Sequence, residues 1–230
     1  CYSEEKKRNL IEIAKSCGAW ILEDDYAADL NVGTEQVSPL SAYDPYDRII
    51  YVKSFSKVLM PGLRLGYMVV PEALQDEIAL AKHATDISTS GLLQRAFDLY
   101  IRKGLWDRQI IHMKRIYDKR HAVIKRFLQT HQVPWVHYHI PQGGYNYWIT
   151  MDSNLNADEL MWRPNKKGVA LFAGRNFPHL PLKSSSFRLS IAAIGEAEIE
   201  AGLEIIFDEI QEMYREMTGS RPRPMKSQVL

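Results

Sequence analysis

The sequence has few cysteines, no long apolar run and almost no net charge, and each shortage excludes a class of protein. Its two cysteines, Cys1 and Cys17, are too few for a disulfide-stabilised secreted scaffold. No apolar stretch is long enough for a membrane span or for the core of a signal peptide. The net charge of +1, from 29 basic and 28 acidic residues, does not indicate a nucleic-acid or membrane surface. A cytoplasmic globular protein is therefore expected.

The length and the start of the chain indicate a substantial protein that continues upstream. With 230 residues, of which 46% are hydrophobic, the chain can bury a large core. It starts at Cys1 rather than at a methionine, and the helical sequence "SEEKKRNLIEIAKSCG" follows almost at once. We therefore expect the interior of a longer protein.

The first half of the sequence predicts an α/β fold. The opening helix is followed by "AWILEDDY", a short apolar run that is typical of a strand covered on both faces. Two similar runs follow, in "DRIIYVKSFSK" and in "RLGYMVVP". Short apolar strands joined by helices and loops favour three strands of a mostly parallel sheet.

The second half predicts helices and then a smaller α+β unit. A long helix is expected from about Trp106 to His131, and its basic residues are interpreted as a solvated face because no nucleic-acid readout motif accompanies them. Short β-like runs separated by Gly and Pro come next, and a strongly periodic helix closes the unit. The predicted domains are 1–105, 106–217 with the long linking helix, and a mobile tail at 218–230.

Chemically useful side chains follow two of the predicted strands. "EDDY" provides three carboxylates and a phenol, and "SFSK" provides two hydroxyls and an amine. The carboxyl ends of parallel strands share one edge of a sheet, where α/β proteins bind ligands. Pyridoxal phosphate matches this set, because its aldehyde condenses with an amine, its ring nitrogen pairs with a carboxylate, and its phosphate needs hydroxyl and guanidinium donors.

These segments carry a family resemblance. "SFSKVLMPGLRLGY" resembles the cofactor-lysine motif of fold-type I pyridoxal-phosphate enzymes, the class I and II aminotransferases. The resemblance implies that Lys57 forms the Schiff base and that phosphate is bound by Ser54, Ser56 and Arg64. "ILEDDYAADL" resembles the strand upstream of that motif, with Asp24 or, alternatively, Glu23 facing the pyridinium nitrogen and Tyr26 facing the ring hydroxyl.

The contracted spacing in "EDDY" is more similar to MocR/GabR-type regulators of the GntR family, in which a winged-helix DNA-binding domain precedes an aminotransferase-like domain. By this resemblance, 1–105 is the later part of the large cofactor-binding domain and 106–217 is the C-terminal small domain. DNA contact would come only through an upstream domain outside this sequence. A homodimer is expected, because sites in this family lie near subunit interfaces.

The small domain supplies one more candidate residue. "SSFRLSIA" resembles the segment whose arginine binds the substrate α-carboxylate, which makes Arg188 the candidate, and Arg175 in "AGRNFP" is its rival. The planar guanidinium fork can bind a carboxylate with two parallel hydrogen bonds. His137 and His139 alternate along a predicted strand, and since no further metal ligand stands at suitable spacing, no metal site is predicted.

Three functions remain open at this point. The first is a regulator domain that uses pyridoxal phosphate to sense an amino acid or amine. The second is an active aminotransferase, in which Lys57 moves the α-proton. The third is a truncated fold that is unable to bind the cofactor, since the resemblance covers only the later part of the family domain.

Overall fold

The computed structural model of the chain describes residues 2–31, 38–141, 143–177 and 184–219. In this part of the chain the strands are β1 Ile21–Asp25, β2 Ile49–Ser54, β3 Gly66–Val69, β4 Val136–Tyr138, β5 Asn146–Met151, β6 Phe172–Ala173 and β7 Ser186–Ser190. The α-helices are α1 Glu4–Ser16, α2 Gln75–Asp86, α3 Gly91–Arg102, α4 Leu105–Thr130, α5 Ala157–Asn165 and α6 Glu196–Thr218.

The chain divides into two compact units. The first unit is Cys1–Asp118 with Gln142–Gly144, and the second is Lys119–Pro141 with Tyr145–Leu230. The division falls inside α4, whereas the predicted domain boundary lies at the start of that helix. The predicted tail at 218–230 lies outside the described residues beyond Gly219.

The first unit contains a three-stranded mixed sheet in the order β1-β2-β3. Strands β1 and β2 are parallel, and β3 runs antiparallel to β2. The predicted α/β class is confirmed. The carboxyl ends of β1 and β2 lie side by side, with Asp24 opposite Val52 and Asp25 opposite Lys53.

Helix α1 forms for local reasons and packs on one face of this sheet. The Ser3 hydroxyl accepts the N–H of Lys6 and caps the first turn, which also carries two glutamates. Past its end, Gly18 adopts φ +65°, a left-handed conformation that glycine adopts without strain. Ile11 is 1% exposed and packs with Leu40 and Ile49.

The prediction that β1 is covered on both faces is wrong for the described residues. Its side chains alternate between the two faces, and Ile21 packs against the cluster that Ile11 anchors. Leu22 on the other face is 62% exposed, and Asp24 beside it is exposed as well. The apolar run alone did not reveal this, because a strand covered on one face and one covered on both can have the same composition.

The second unit contains an antiparallel four-stranded sheet in the order β4-β5-β7-β6. At its centre Ile149 of β5 lies opposite Phe187 of β7, and both are fully buried. Helix α6 begins where the Gly195 N–H donates to the Glu198 carboxylate at 2.8 Å, and it buries an apolar stripe that includes Leu203 and Ile210. The predicted α+β character of this region is confirmed.

The long helix predicted from about Trp106 to His131 is observed as α4, within one residue at each end. None of the helices in the described ranges has both the length and the apolar character that a bilayer crossing requires.

Candidate functional site

The carboxyl ends of β1 and β2 place predicted site residues on one face of the first sheet. Asp24 lies opposite Val52, and Ser54 follows two positions later on the same face of β2. Gly66 of β3 lies opposite Ser54, and because glycine has no side chain, β3 does not cover the Ser54 side chain at this position. The two strand ends that the sequence predicted to be neighbours are therefore neighbours.

A cavity of about 660 Å³ opens beside the end of β2. Its lining includes Ser54, Ser56 and Arg64, the three predicted phosphate ligands. Ser56 is 8% exposed, and its N–H donates to the Ser54 hydroxyl oxygen at 3.3 Å. Arg64 has φ +51° and ψ +33°, a left-handed conformation that a non-glycine residue rarely adopts and that is often found at functional sites. Two hydroxyls and a guanidinium around one cavity are donors that fit a phosphate group.

Lys57 lies in the turn that follows β2. It comes directly after Ser56, and its side chain is exposed. No described carboxylate forms an ion pair with it, and it is not among the residues that line the cavity. Its amine is therefore accessible from solvent.

Lys53, four residues before Lys57, has the opposite surroundings. It is 7% exposed, and its Nζ lies 3.0 Å from Oδ2 of Asp25 and 2.8 Å from Oδ2 of Asp29. Burial alone would lower the pKa of Lys53, but the hydrogen bonds to Asp29 and Asp25 outweigh it and raise this pKa above its ordinary value. The ammonium is held in its charged form by both carboxylates.

Asp25 is the centre of this buried network. It accepts hydrogen bonds from the Tyr51 hydroxyl, from the Ala28 N–H at 2.9 Å and from Lys53. Burial raises the pKa of Asp25, but these three donors together bring it below its ordinary value. Burial and the neighbouring Asp25 carboxylate raise the pKa of Tyr51. The Asp25 carboxylate is therefore already hydrogen-bonded, and it lies on the face of the sheet opposite to the face that carries Asp24.

Glu23, the alternative partner for the ring nitrogen, accepts hydrogen bonds from the backbone of the first unit. Its two carboxylate oxygens accept the N–H groups of Leu40 at 2.5 Å and Ser41 at 2.9 Å. These contacts hold the turn at Leu40–Tyr43 against β1. Asp24 lies on the face of the sheet that carries Val52 and Ser54, and Tyr26, just beyond β1, is 41% exposed.

Arg188 lies in the second unit, on β7. Trp148 of β5 and Phe172 of β6 are its register partners, so the three side chains form a row across the sheet. The guanidinium carbon lies 4.6 Å from the centre of the Phe172 ring and 5.7 Å from that of Phe177. Its Nε is buried and has no hydrogen-bond partner among the described residues.

The remaining predicted candidates are less informative. Arg175 lies in the short turn Gly174–Asn176, and its side chain lies outside the described part of the structure. His137 and His139 are exposed. Within the described ranges, no three His, Cys, Asp or Glu side chains come together in a way that could hold a metal ion.

Comparison with known proteins assigns the family. The sequence model of "Aminotransferase class I and II" matches residues 1–206. The chain belongs to this family. The class I and II aminotransferase fold accounts for both units, since the match extends from α1 into α6.

The relatives of this aminotransferase-family chain include both regulators and enzymes. An uncharacterized HTH-type transcriptional regulator of Bacillus subtilis, YcxD, is 29% identical over 90% of the chain and 48% of its own length. Aromatic-amino-acid aminotransferase 1 of Thermococcus litoralis is 27% identical over 91% of the chain and 50% of its length. Regulators of the MocR type are also among the relatives.

A solved structure has the same fold. The multiple substrate aminotransferase of Thermococcus profundus superimposes with a TM-score of 0.87 at 27% identity, over 93% of this chain and 53% of that one. The chain thus spans about half the length of the relatives and structures that it resembles.

Sequence reasoning missed the network of Lys53, Asp25 and Asp29. The sequence contained a signal for it. "KSFSK" contains two lysines, of which only Lys57 was assigned a role, and Asp25 must point to the face of β1 opposite to Asp24 because side chains alternate along a strand. The pairing of Lys53 with Asp25 depends on the register of two strands that are 24 residues apart in the sequence, which no local pattern specifies.

Proposed function

We propose that this chain is the pyridoxal-phosphate-binding, aminotransferase-like part of a MocR/GabR-type transcriptional regulator that senses an amino acid or an amine. The observation that carries the proposal is the cavity at the end of β2, where Ser54, Ser56 and Arg64 converge, with Asp24 on the same face of the sheet. Family membership and regulator relatives support the assignment.

Each residue has a distinct role in this proposal. Ser54, Ser56 and Arg64 hold the phosphate, and Asp24 keeps a proton on the ring nitrogen. Tyr26 donates to the ring hydroxyl oxygen, and Arg188 binds the carboxylate of the amino compound. Pyridoxal phosphate, when bound, supplies an aldehyde and an electron-withdrawing ring.

The surroundings of the two lysines favour Lys57 as the amine that attaches the cofactor. An amine must lose its proton before it can attack an aldehyde. Lys53 is buried and held as an ammonium by two carboxylates, whereas Lys57 is exposed and forms no ion pair with a described residue. The same sequence segment therefore offers one accessible amine.

The proposal is tested by fixing the cofactor to the chain. Pyridoxal phosphate is added, the linkage is reduced with borohydride, and the labelled peptide is mapped by mass spectrometry. We expect the label on Lys57. Lys57→Ala should lose it with an unchanged circular dichroism spectrum, while Lys103→Ala, which removes another exposed lysine of the first unit, should keep it.

Two results would contradict the proposal in different ways. Label on Lys53, or undiminished label in Lys57→Ala, would show that Lys57 is not the attachment point. No specific label on the wild-type chain would support the third function, a truncated fold unable to bind the cofactor. The cofactor site would then need the upstream half of the protein.

An active aminotransferase is the second candidate function. The observation in its favour is that relatives and solved structures at 27% identity are named as aminotransferases. In that case the Lys57 amine would also move the α-proton of the substrate. Incubating the cofactor-loaded chain with an amino acid and a keto acid separates the two functions, because only an enzyme produces the new amino acid over many turnovers.

A further inference from the structure

The chain leaves β1 through a short turn whose two ends are bound by one buried amine. We define the Tyr26 turn as residues 25–29, which begin at the last residue of β1. Nζ of Lys53 lies 3.0 Å from Oδ2 of Asp25, at the start of this turn, and 2.8 Å from Oδ2 of Asp29, at its end. A single ammonium therefore connects both ends of the segment that carries Tyr26.

The register of the first sheet places Lys53 at this point. Lys53 lies opposite Asp25 in the parallel pair of β1 and β2, so both side chains project from the same face of the sheet where β1 ends. The side chains of Lys53 and Asp25 are 9% and 10% exposed, and that of Asp29 is 28% exposed. Charged hydrogen bonds that are shielded from water are stronger than exposed ones. These contacts can therefore fix the turn, which an exposed ion pair would do only weakly.

Backbone hydrogen bonds inside and just after the Tyr26 turn complete the restraint. Oδ1 of Asp25 accepts the N–H of Ala28 at 2.9 Å, so this carboxylate binds the turn with one oxygen and the ammonium with the other. Leu30, directly after the turn, is 1% exposed and donates its N–H to the Ala27 carbonyl at 2.9 Å. The backbone that follows Tyr26 is held by these contacts.

Tyr26 lies between the two points at which the ammonium binds the turn. It comes directly after β1, and its side chain is 41% exposed. A side chain adopts staggered rotamers about the backbone that carries it, so the direction of the phenol depends on the conformation of the turn. A shift of the turn would move the phenol with it.

We propose that Lys53 and Asp29 are positioning residues for Tyr26. Their ion pair fixes the turn so that the phenol is held where it donates to the ring hydroxyl oxygen of pyridoxal phosphate. Both residues act through the backbone of the turn and not on the cofactor itself. The inference rests on the proposed function, which assigns this hydrogen bond to Tyr26.

Asp29→Ala tests the proposal without leaving a buried charge unpaired. It removes one end of the connection, while Lys53 keeps its pair with Asp25. Asp86→Ala is the matched control, because it removes the carboxylate of an exposed pair with Lys82 in the same unit. Asp29→Asn keeps an acceptor oxygen but loses the charge, and it should lie between the wild type and Asp29→Ala in each measurement.

Hydrogen exchange, measured by NMR on the full chain without cofactor, reports whether the ion pair holds the turn. The N–H groups of Ala28, Leu30 and Asn31 are hydrogen-bonded and serve as probes. We expect them to exchange about tenfold faster in Asp29→Ala, because a charged hydrogen bond that restrains the turn is lost. Amides of β2 should keep their wild-type rates, and Asp86→Ala should leave all of these rates unchanged.

A double-mutant cycle on the affinity for pyridoxal phosphate separates the positioning of Tyr26 from a general effect on structure. Tyr26→Phe removes the phenol hydroxyl and should weaken binding by about fivefold in the otherwise unchanged chain. Asp29→Ala should weaken binding by a similar factor. The double variant should bind no more weakly than Asp29→Ala alone, because a displaced phenol no longer contributes. Equilibrium dialysis measures the four dissociation constants.

The outcomes distinguish failure of this inference from failure of the proposed function. Independent effects would multiply to about 25-fold in the double variant, and that result would overturn the inference alone. Unchanged exchange of the three probes in Asp29→Ala would do the same. A wild-type chain that does not bind pyridoxal phosphate would overturn the proposed function and, with it, the inference.

Discussion

Lys53 and Lys57 have the same side chain and lie four residues apart, but burial and charge give them different roles. Lys53 points to the face of the sheet that carries Asp25, where two carboxylates hold its ammonium. Lys57 lies beyond the strand, in a turn, where the chain leaves the sheet and the side chain is exposed. Lys57 is accessible because it lies beyond the end of β2, and Lys53 is buried because it lies within that strand.

We expect Lys53→Met to destabilise the chain by about 3 kcal/mol, because removing one partner of a buried ion pair leaves the other charges unpaired. Lys82→Met is the matched control. Lys82 forms an exposed pair with Asp86 one helical turn away, and its loss should change the free energy of unfolding by less than about 0.5 kcal/mol. Urea unfolding at neutral pH measures both. Equal effects of the two substitutions would contradict a structural role for Lys53.

The contribution of the Lys53 network should depend on pH at both extremes. The pKa of Asp25 is lowered on folding, so its stabilising contribution is present above about pH 4 and is lost as the pH falls through the folded value. The pKa of Lys53 is raised on folding, so its contribution is present below about pH 10 and is lost as the pH rises through the folded value.

The difference in unfolding free energy between the wild type and Lys53→Met should therefore be constant between about pH 5 and pH 10 and should shrink on either side. Urea unfolding across this range and beyond both of its ends provides the measurement. A difference that grows as the pH falls would contradict the assignment.

At the scale of elements, the approach of β3 to β2 depends on a glycine. A Cβ atom placed on Gly66 would lie 2.5 Å from the Lys53 carbonyl oxygen, which is backbone and cannot rotate away. Gly66 also lines the cavity beside Ser54. The close contact of these two strands therefore shapes one wall of the candidate phosphate site.

Gly66→Ala should destabilise the chain by about 2 kcal/mol, since an overpacked site forces the backbone to shift. Gly62→Ala is the control, because a Cβ on Gly62 would meet no atom within 4 Å. Thermal unfolding compares the two variants. Equal stability of the two variants would show that β3 can shift away from β2 without a loss of stability. The close contact between β2 and β3 would then not define the wall of the cavity.

At the scale of the whole molecule, exposed apolar side chains are concentrated in and between two helices of the first unit. In 75–102, the segment of α2 and α3, Leu80 is 71% exposed, Ile87 76% and Leu92 78%. Apolar surface of this kind often marks an association site. The homodimer expected from the family resemblance stays a prediction.

We expect sedimentation velocity to show that the average mass of the protein rises with protein concentration, towards the mass of a dimer. Leu92→Asp should shift the distribution towards the single chain, because a carboxylate in an apolar interface loses its hydration. Ile13→Asp, on the exposed face of α1, is the control and should have no effect. A single-chain mass at all concentrations would contradict association through this surface.

The sequence by itself determined the α/β class, the strand–turn–strand segment around Lys57 and the extent of α4 to within one residue, because helix periodicity and turn chemistry are local properties. The tertiary structure decided which face of β1 is covered, which lysine is buried and which side chains surround Arg188. Each of these depends on the pairing of strands that are far apart in the sequence, such as β5 with β7. Packing fixes the register of such pairs, and packing is not a local property of the chain.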